Sequence, residues 1–393
     1  MGTKEILEKN NNNKQINKDI IINISILLLF GCITFLFLLK SPLHIWTGGE
    51  ASTDSSVLKT VALMISNGKV PYLDTFDHKG PYIYIINWLW QLISYYKGVW
   101  LFEFINLFVT LSGLYKIARL KCNKPCSIIV TLISVSLLFN YFESGNLTEE
   151  YALPLIAWSL YIFLDYLINE KVNNLRLIIC GFCFGGILLL RVNMGAAWVV
   201  FCLAILIKCL KEKKFSDLTK FIVFFIIGIA IILIPVMVWL GFNGALSAFW
   251  EEYIEFNQMY ISSAGNRATI RNKIEAFGYF FINPLTIISF IIVTFAGNKK
   301  KEPIYIIYIL YMILTIYFIC ISGMKYNHYG MTIIPMLAFP FSLLYEFVNE
   351  KVSVKYIAKE KKQKYQITLK QFAMLLQQIQ TKMMKFQYME VGI

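Results

Sequence analysis

The chain has 393 residues, of which 57% are hydrophobic and only 16% are charged, and its mean hydropathy is +0.59. Apolar runs of about 17–22 residues recur throughout; this is the length that a helix needs to cross a bilayer, and the runs leave no room for a second large soluble domain. The net charge of +13 does not indicate nucleic-acid binding, because lysine and arginine collect in particular loops between those runs.

The N-terminal segment, residues 1–20, is rich in Asn and Lys and precedes the first apolar run. No small-residue cleavage site follows that run, so we expect a retained anchor rather than a cleaved signal peptide. The sequence predicts three parts: a cytoplasmic segment over 1–20, a transmembrane domain over 21–348 with a long outer loop over 41–81, and a basic cytoplasmic tail over 349–393.

The apolar runs predict an all-α, polytopic bundle of about ten transmembrane helices, with short helices in the long outer loop. The predicted spans lie near 20–40, 99–118, 127–142, 151–168, 175–191, 194–210, 221–242, 277–297, 304–323 and 329–348. With both termini in the cytoplasm, simple alternation places the lysine- and arginine-rich loops on the cytoplasmic side, as the positive-inside rule requires.

Residues 82–96 are apolar and aromatic but short. Counting them as a span would invert every later loop, so we predict an interfacial or re-entrant helix on the outer face. This topology puts five polar features on one side of the membrane. They are the loop 41–81, the acidic turn 143–150, the break 191–194, the loop 243–276 and the turn 325–329.

The most polar part of the first loop gathers Asp74, Asp77, His78 and Lys79 between apolar segments. Such groups are costly beside a bilayer and usually mark a site. Prolines and a glycine in the same stretch hold them in place. The alternative is an ordinary polar surface loop.

Asp54 opens the stretch 55–66, whose apolar residues recur at helical spacing. Its position suits a helix N-cap. A carboxylate near the membrane surface also suits a general base, and the two roles do not exclude each other.

Lys79 and Arg191 are the cations best placed to bind a phosphate group. Arg191 ends an apolar run, where a lipid phosphate would offset the cost of burying its guanidinium; snorkelling to the interface is the alternative. Lys325 and His328, in the last outer turn, would assist, with plain solvation as the alternative.

The acidic turn before the fourth span ends in Glu149 and Glu150, which also suit the first turn of a helix because of the macrodipole. Asn146-Leu-Thr148 matches the N-glycosylation pattern, which we attribute to chance. A divalent metal held by Asp77, His78 or Glu149 is an open alternative without supporting ligand spacing. Nucleotide-binding and serine-hydrolase motifs are lacking in the sequence.

The tail, residues 351–393, is polar and rich in Lys and Gln. Its apolar residues recur at helical spacing, so we predict that it lies on the anionic inner leaflet. A disordered tail is the alternative.

The stretch from Asp54 to Tyr84 resembles the first outer loop of polytopic C-type glycosyltransferases. The residues that carry this resemblance are Asp54-Ser-Ser-Val and Gly68-Lys-Val-Pro-Tyr-Leu-Asp-Thr-Phe-Asp-His-Lys-Gly-Pro-Tyr-Ile-Tyr84. The family includes relatives of aminoarabinose transferases and protein O-mannosyltransferases, which use sugars carried on polyprenyl phosphate. One span, a long outer loop and many further spans also fit this family.

The resemblance implies roles for individual residues. Asp54 matches the acidic residue taken as the catalytic base, and we hold Asp77 in reserve for that role. Lys79 matches the lysine that contacts the donor phosphate, although Gly80 replaces the first proline of the family's Lys-Pro-Pro-like motif. The remaining candidates for substrate binding are Arg191, Asp74, His78, Glu149, Lys325 and His328.

The sequence therefore predicts a multi-pass cell-membrane glycosyltransferase with its site on the extracytoplasmic side. Its predicted partners are a polyprenyl-phosphate sugar donor, a cell-envelope glycan, lipid or protein acceptor, and membrane lipids, with no nucleic acid. Many relatives carry further spans or an outer C-terminal domain, so we expect the acceptor-recognition part to be reduced, truncated or supplied by another protein. A lipid or polysaccharide transporter and a non-catalytic membrane scaffold are the alternatives.

Overall fold

The computed structural model describes residues 2–39, 41, 52–95, 97–143, 145–171, 173–262 and 269–350. Within these ranges every regular element is helical, as predicted, and an isolated bridge joins Pro71 to Thr75. The chain divides into two compact units, Met1–Leu343 and Leu344–Ile393. Of the second unit, residues 344–350 are described and are helical. The predicted tail over 351–393 and parts of two predicted outer loops, 42–51 and 263–268, lie outside the described residues.

The α-helices are α1 (Gly2–Leu38), α2 (Thr53–Ser66), α3 (Pro81–Ile93), α4 (Gly98–Ala118), α5 (Lys124–Val135), α6 (Leu138–Tyr141), α7 (Thr148–Asn169), α8 (Asn174–Leu190), α9 (Ala196–Lys211), α10 (Phe215–Phe242), α11 (Leu246–Phe249), α12 (Phe256–Ser262), α13 (Ile270–Phe281), α14 (Pro284–Lys300) and α15 (Pro303–Cys320). A 3₁₀ turn, Val192–Met194, follows α8, and a π-helical segment, Trp250–Glu255, joins α11 to α12. The last helical segment, Asn327–Glu350, begins as a 3₁₀ helix over Asn327–Ile333.

Among the described residues, seven helices are long and apolar enough to cross a membrane. They are Lys18–Leu38, Gly98–Ala118, Lys124–Tyr141, Thr148–Asn169, Phe215–Phe242, Pro303–Cys320 and Asn327–Glu350. The first of these lies within α1, which runs through the predicted boundary at residue 20 without a break. The chain is thus a multi-pass membrane protein by length and composition.

The other three predicted spans are helical, but none of them is among these seven helices. Helices α8 and α9 have 17 and 16 residues. The span predicted over 277–297 is broken, because α13 and α14 meet at an angle of 81°. Asn283 caps α14 by accepting a hydrogen bond from the Leu285 backbone, and Pro284 occupies its first turn. An Asn-Pro pair starts a new helix and cannot continue the old one.

The core of the first unit is built around α7, which packs against α4 and α8, while α8 packs closely against α10. Two glycines permit the second contact: a Cβ at Gly181 would lie 2.0 Å from the Phe225 carbonyl oxygen, and one at Gly228 would lie 2.1 Å from the Ile178 carbonyl oxygen. Small residues at such crossings let membrane helices approach at backbone distance.

Helix α3 has 13 residues, about 20 Å of helix, which is too short to cross the hydrocarbon core. It follows the polar stretch of the first loop directly and packs against α2, α4 and α8. The short helix predicted over 82–96 is therefore present. Its N-terminus, at Pro81, fixes where the polar stretch ends.

Candidate functional site

The turn over residues 70–75 is shaped by Asp74. Its carboxylate accepts a hydrogen bond from the Val70 N–H at 2.8 Å and pairs with Lys69 at 3.3 Å. The Val70 hydrogen bond is the main reason that the pKa of Asp74 lies below its usual value. Both contacts are local, so Asp74 stabilises the turn and is not brought together with the other predicted site residues.

Lys79 lies between two carboxylates. Its Nζ is 3.9 Å from Oδ2 of Asp54 and 3.8 Å from Oδ2 of Asp77. At these distances the charges attract each other, but no hydrogen bond forms. Asp77 is buried, with 8% of its side chain exposed, whereas Asp54 is 47% exposed. Within the described ranges Oδ2 of Asp77 makes no hydrogen bond. We call Asp54, Asp77, His78 and Lys79 the first-loop cluster.

The cap of α2 lies two residues before Asp54. Ser52 is the N-cap residue, and its side chain accepts a hydrogen bond from the Ser55 N–H. The capping role considered for Asp54 is therefore wrong, although a carboxylate in the first turn still suits the helix dipole. The Asp54 carboxylate instead lies 3.9 Å from the Lys79 ammonium.

His78 completes the first-loop cluster. Its Nδ1 lies 3.6 Å from Oδ1 of Asp77. Burial lowers the pKa of His78, and this effect outweighs the opposing attraction of Asp77. A lowered pKa favours the neutral imidazole, which leaves Lys79 as the cation of the cluster.

The loop that carries the cluster is held from several sides. Tyr72 and Tyr84 donate hydrogen bonds to the Lys79 carbonyl at 2.7 and 3.3 Å. Gly80 donates to the Leu190 carbonyl, and a Cβ at residue 80 would lie only 2.0 Å from the Leu189 carbonyl oxygen. Glycine is therefore required for the loop to reach the end of α8.

The π-helical segment after α11 and the start of α12 also contact the loop. Glu252 accepts a hydrogen bond from the Asp77 N–H at 3.2 Å, and Asn257 donates to the His78 carbonyl at 2.7 Å. Burial, and then the nearby Asp77 charge, raise the pKa of Glu252. Sequence reasoning missed both contact residues, and the one signal for them was the polar composition of the loop 243–276.

Arg191 ends α8 beside this loop and forms a second cluster with Glu149 and Tyr329. Its guanidinium bonds to Oε1 of Glu149 at 2.5 Å and to the Tyr329 hydroxyl at 2.8 Å, and it lies 4.4 Å from the Tyr329 ring centre. Burial opposes its charge, but Tyr329 and Glu149 together raise the pKa of Arg191. We call Glu149, Arg191 and Tyr329 the arginine cluster.

The late turn places the last two candidates apart from each other. His328 Nδ1 lies 3.0 Å from Oε2 of Glu143, next to the arginine cluster. Lys325 instead pairs with Glu275 at 3.0 Å. It lines an open pocket of about 810 Å³ with Asn327, Tyr279, Asn283 and neighbouring residues, a size typical of ligand sites.

The five polar features predicted to share one side are joined by hydrogen bonds. The first loop contacts the 243–276 loop through Asp77 and Glu252, and the acidic turn contacts the break after α8 through Glu149 and Arg191. The late turn contacts the break through Tyr329, the acidic turn through His328, and the 243–276 loop through Lys325. The five features therefore lie together in the structure.

The metal alternative gains no support from the site. In the part of the chain that the structure describes, no group of three His, Cys, Asp or Glu side chains is arranged to hold a metal ion. Glu149, one of the three proposed ligands, bonds to Arg191 instead of meeting Asp77 and His78.

Comparison with known proteins gives two findings. The model of the family described as "Putative competence-induced protein Ccs4 N-terminal domain" matches residues 11–388. The structure is similar to the crystal structure of ArnT from Cupriavidus metallidurans bound to undecaprenyl phosphate, with a TM-score of 0.60 and 11% sequence identity. No curated protein matches the sequence.

The match covers 86% of this chain and 63% of the ArnT chain. At this identity it establishes the fold alone: the protein is an all-helical membrane bundle with an ArnT-like fold. The chain spans less than two thirds of the length of the ArnT chain.

Proposed function

The chain belongs to the family of the Ccs4 N-terminal domain, and we propose that it is a membrane glycosyltransferase. In this proposal it moves a sugar from a polyprenyl-phosphate donor to a cell-envelope acceptor on the outer face of the membrane. The ArnT-like fold supports the donor class, because the ArnT structure holds undecaprenyl phosphate. The first-loop residues that resemble C-type glycosyltransferases support the reaction class.

One observation carries the proposal: the Lys79 ammonium lies within 4 Å of both Asp54 and Asp77. Sugar transfer from a lipid phosphate needs a base for the acceptor hydroxyl and a cation for the departing phosphate. The two kinds of group are adjacent here. Asp77 and Lys79 lie on the loop that Gly80 joins to the end of α8, and Asp54 lies in the first turn of α2.

The roles follow from exposure and pairing. Asp54, the more exposed carboxylate, takes the proton of the acceptor hydroxyl. The acceptor oxygen then bonds to the anomeric carbon, and the bond from that carbon to the phosphate oxygen breaks, leaving polyprenyl phosphate. Lys79 stabilises the charge on the leaving phosphate. Asp77 is buried against Lys79 and His78, so it orients them and stays in reserve as a base.

Replacing Asp54 by Asn tests the proposal. Loss of a general base should lower the transfer rate about 100-fold or more, while the unfolding temperature stays the same. The assay uses purified protein in liposomes with undecaprenyl-phosphate-linked sugar and envelope fractions from cells lacking the gene. Asp74→Asn is the matched control: it removes a charge from the same loop, but its contacts are Lys69 and Val70, so transfer should persist.

The alternatives predict different results. A non-catalytic scaffold gives the same envelope glycans, by mass spectrometry, in cells with wild-type protein and with Asp54→Asn. A transporter moves a lipid-linked glycan across liposomes without forming a new glycosidic bond. Either result removes the glycosyltransferase proposal.

The outward orientation is a separate part of the proposal. A cysteine placed at Asn67, after α2, should react with a membrane-impermeant thiol reagent added outside the cell. Labelling only after the cytoplasmic side is opened would refute the topology, and with it an outer site.

A further inference from the structure

Asn146 lies in the short turn between α6 and α7, in the left-handed region of backbone conformation with φ of 55°. Its side chain is completely buried. The sequence suggests only a chance glycosylation motif at this residue. Its contacts point to a different role.

The side-chain amide of Asn146 makes four hydrogen bonds. Its Nδ2 donates to Ser55 Oγ and to Asn87 Oδ1, both at 2.9 Å. Its Oδ1 accepts from Asn87 Nδ2 at 2.9 Å and from the Tyr151 hydroxyl at 2.7 Å. An amide has two donor hydrogens and two acceptor lone pairs, so every one of them is used.

The backbone of Asn146 adds a fifth and a sixth hydrogen bond. Its N–H donates to Oε1 of Glu103 and to Oε2 of Glu150, both at 2.8 Å. These partners lie on four helices: α2, α3, α4 and α7. A buried amide whose donors and acceptors are all paired fixes one geometry in a low-dielectric interior, because any displacement leaves one of its polar groups without a partner.

We infer that Asn146 is a positioning residue that fixes the first turn of α2, and with it Asp54, against the core. Ser55 is the connection to α2 and is the residue next to Asp54. The catalytic part of the inference, the role of Asp54, rests on the proposed function. The structural part, the packing of α2, does not. The glycosylation motif is structural, because a glycan on Nδ2 would replace the hydrogen of one bond, to Ser55 or to Asn87, and has no room in a buried site.

Two single-bond deletions at the same amide test the inference. Ser55→Ala removes the bond to α2, and Tyr151→Phe removes the bond to α7. Hydrogen exchange measures the amides of residues 53–60 in the purified full chain, whether or not transfer occurs. The transfer assay then separates kcat from the donor KM.

We expect Ser55→Ala to speed exchange in the first turns of α2 about tenfold. The same change should lower kcat about fivefold or more at unchanged donor KM, because a displaced base costs rate and not donor affinity. Ser55→Cys, a weaker acceptor of nearly the same size, should give intermediate values. Tyr151→Phe should leave exchange in α2 and kcat within about twofold of wild type.

The results that overturn the inference are distinct. Unchanged exchange in Ser55→Ala shows that the network does not hold α2. Equal losses of kcat in Ser55→Ala and Tyr151→Phe show a general structural role without specific positioning of Asp54. If wild-type protein transfers no sugar while Ser55→Ala still loosens α2, the proposed function falls and the packing role of Asn146 stands.

Discussion

The first-loop cluster places its cation beside two carboxylates and the arginine cluster beside one, but the two cations are held at different distances from their partners. Lys79 stays 3.8 and 3.9 Å from its two partners. Arg191 bonds to Glu149 at 2.5 Å and to Tyr329 at 2.8 Å, with the ring against its guanidinium. The sequence predicts the same phosphate-binding role for both cations. The structure shows that only Lys79 is loosely held.

This difference decides what each cation can give to a substrate. A phosphate that approaches Lys79 replaces weak attractions and gains charge-assisted hydrogen bonds. A phosphate that approaches Arg191 competes with a carboxylate that is only 3% exposed, and breaking that pair leaves a buried charge. We therefore expect Lys79 to act mainly on the reaction and Arg191 mainly on the architecture of the site.

The largest effect should come from Arg191→Met. It leaves the buried Glu149 carboxylate without its cation, and we expect a loss of about 3 kcal/mol in the free energy of unfolding. Thermal and denaturant unfolding in detergent measure it. Arg271→Met is the matched control, because Arg271 is 87% exposed in its ion pair with Glu275 and should cost less than about 1 kcal/mol.

The double variant Arg191→Met with Glu149→Gln sharpens this result. If the cost arises from the orphaned carboxylate, the neutral amide should recover part of the lost stability, and the two changes should be non-additive. Wild-type activity and stability in Arg191→Met would contradict the architectural role of Arg191, since neither cluster would then depend on this side chain.

Lys79→Met should have the next largest effect, and on rate more than on stability. Loss of a cation that stabilises the leaving phosphate should lower kcat about 100-fold, whereas the loose ion pairs predict a change of about 1 kcal/mol or less in unfolding free energy. Lys69→Met, from the same loop, is the control, because Lys69 pairs with Asp74 outside the cluster. Wild-type kinetics in Lys79→Met would remove it from the reaction.

The sequence predicts the helical membrane class and the segments that form helices, because apolar length and periodicity are local properties. It does not predict which segments cross the membrane in full. The break at Asn283 and Pro284 lies inside a continuous apolar run, so the length of the run does not reveal it. The resulting count of about ten spans is therefore not matched by the seven to eight spanning helices of the described residues.

In the site, too, contacts between sequence neighbours are predictable and contacts between distant residues are not. The loop residues Asp77, His78 and Lys79 are neighbours in sequence, so their clustering is predictable. The pairing of Arg191 with Glu149 and Tyr329 joins residues 42 and 138 positions apart, and no local pattern encodes it. Asp74 is the opposite case. It lies close to the cluster in sequence, which suggests a role in the site, but in the structure its carboxylate pairs with Lys69.

Gly80→Ala tests the connection between the two clusters. The added Cβ meets the Leu189 carbonyl, a backbone atom that cannot turn away, so we expect a loss of about 2 kcal/mol in unfolding free energy. Transfer should fall as well, because Lys79 moves with the loop away from Arg191. Gly31→Ala is the control, since nothing lies within 4 Å of its added Cβ. Equal behaviour of the two variants would mean that the clusters act independently.

The smallest expected effect concerns pH and decides whether burial or Asp77 controls His78. Burial lowers the pKa of His78 below 6.5, so the unfolded chain takes up this proton at a higher pH than the folded chain. Stability from this residue is therefore complete above pH 6.5 and is lost as the pH falls below it. Because the side chain is 40% exposed, solvent screening keeps the effect small. Unfolding temperatures of wild type and His78→Gln between pH 5 and 8 should coincide above pH 7 and diverge below 6.5, with wild type losing more. The opposite divergence would mean that Asp77, 3.6 Å away, holds a protonated His78 as a second cation, and the first-loop cluster would then resemble the arginine cluster more than its distances indicate.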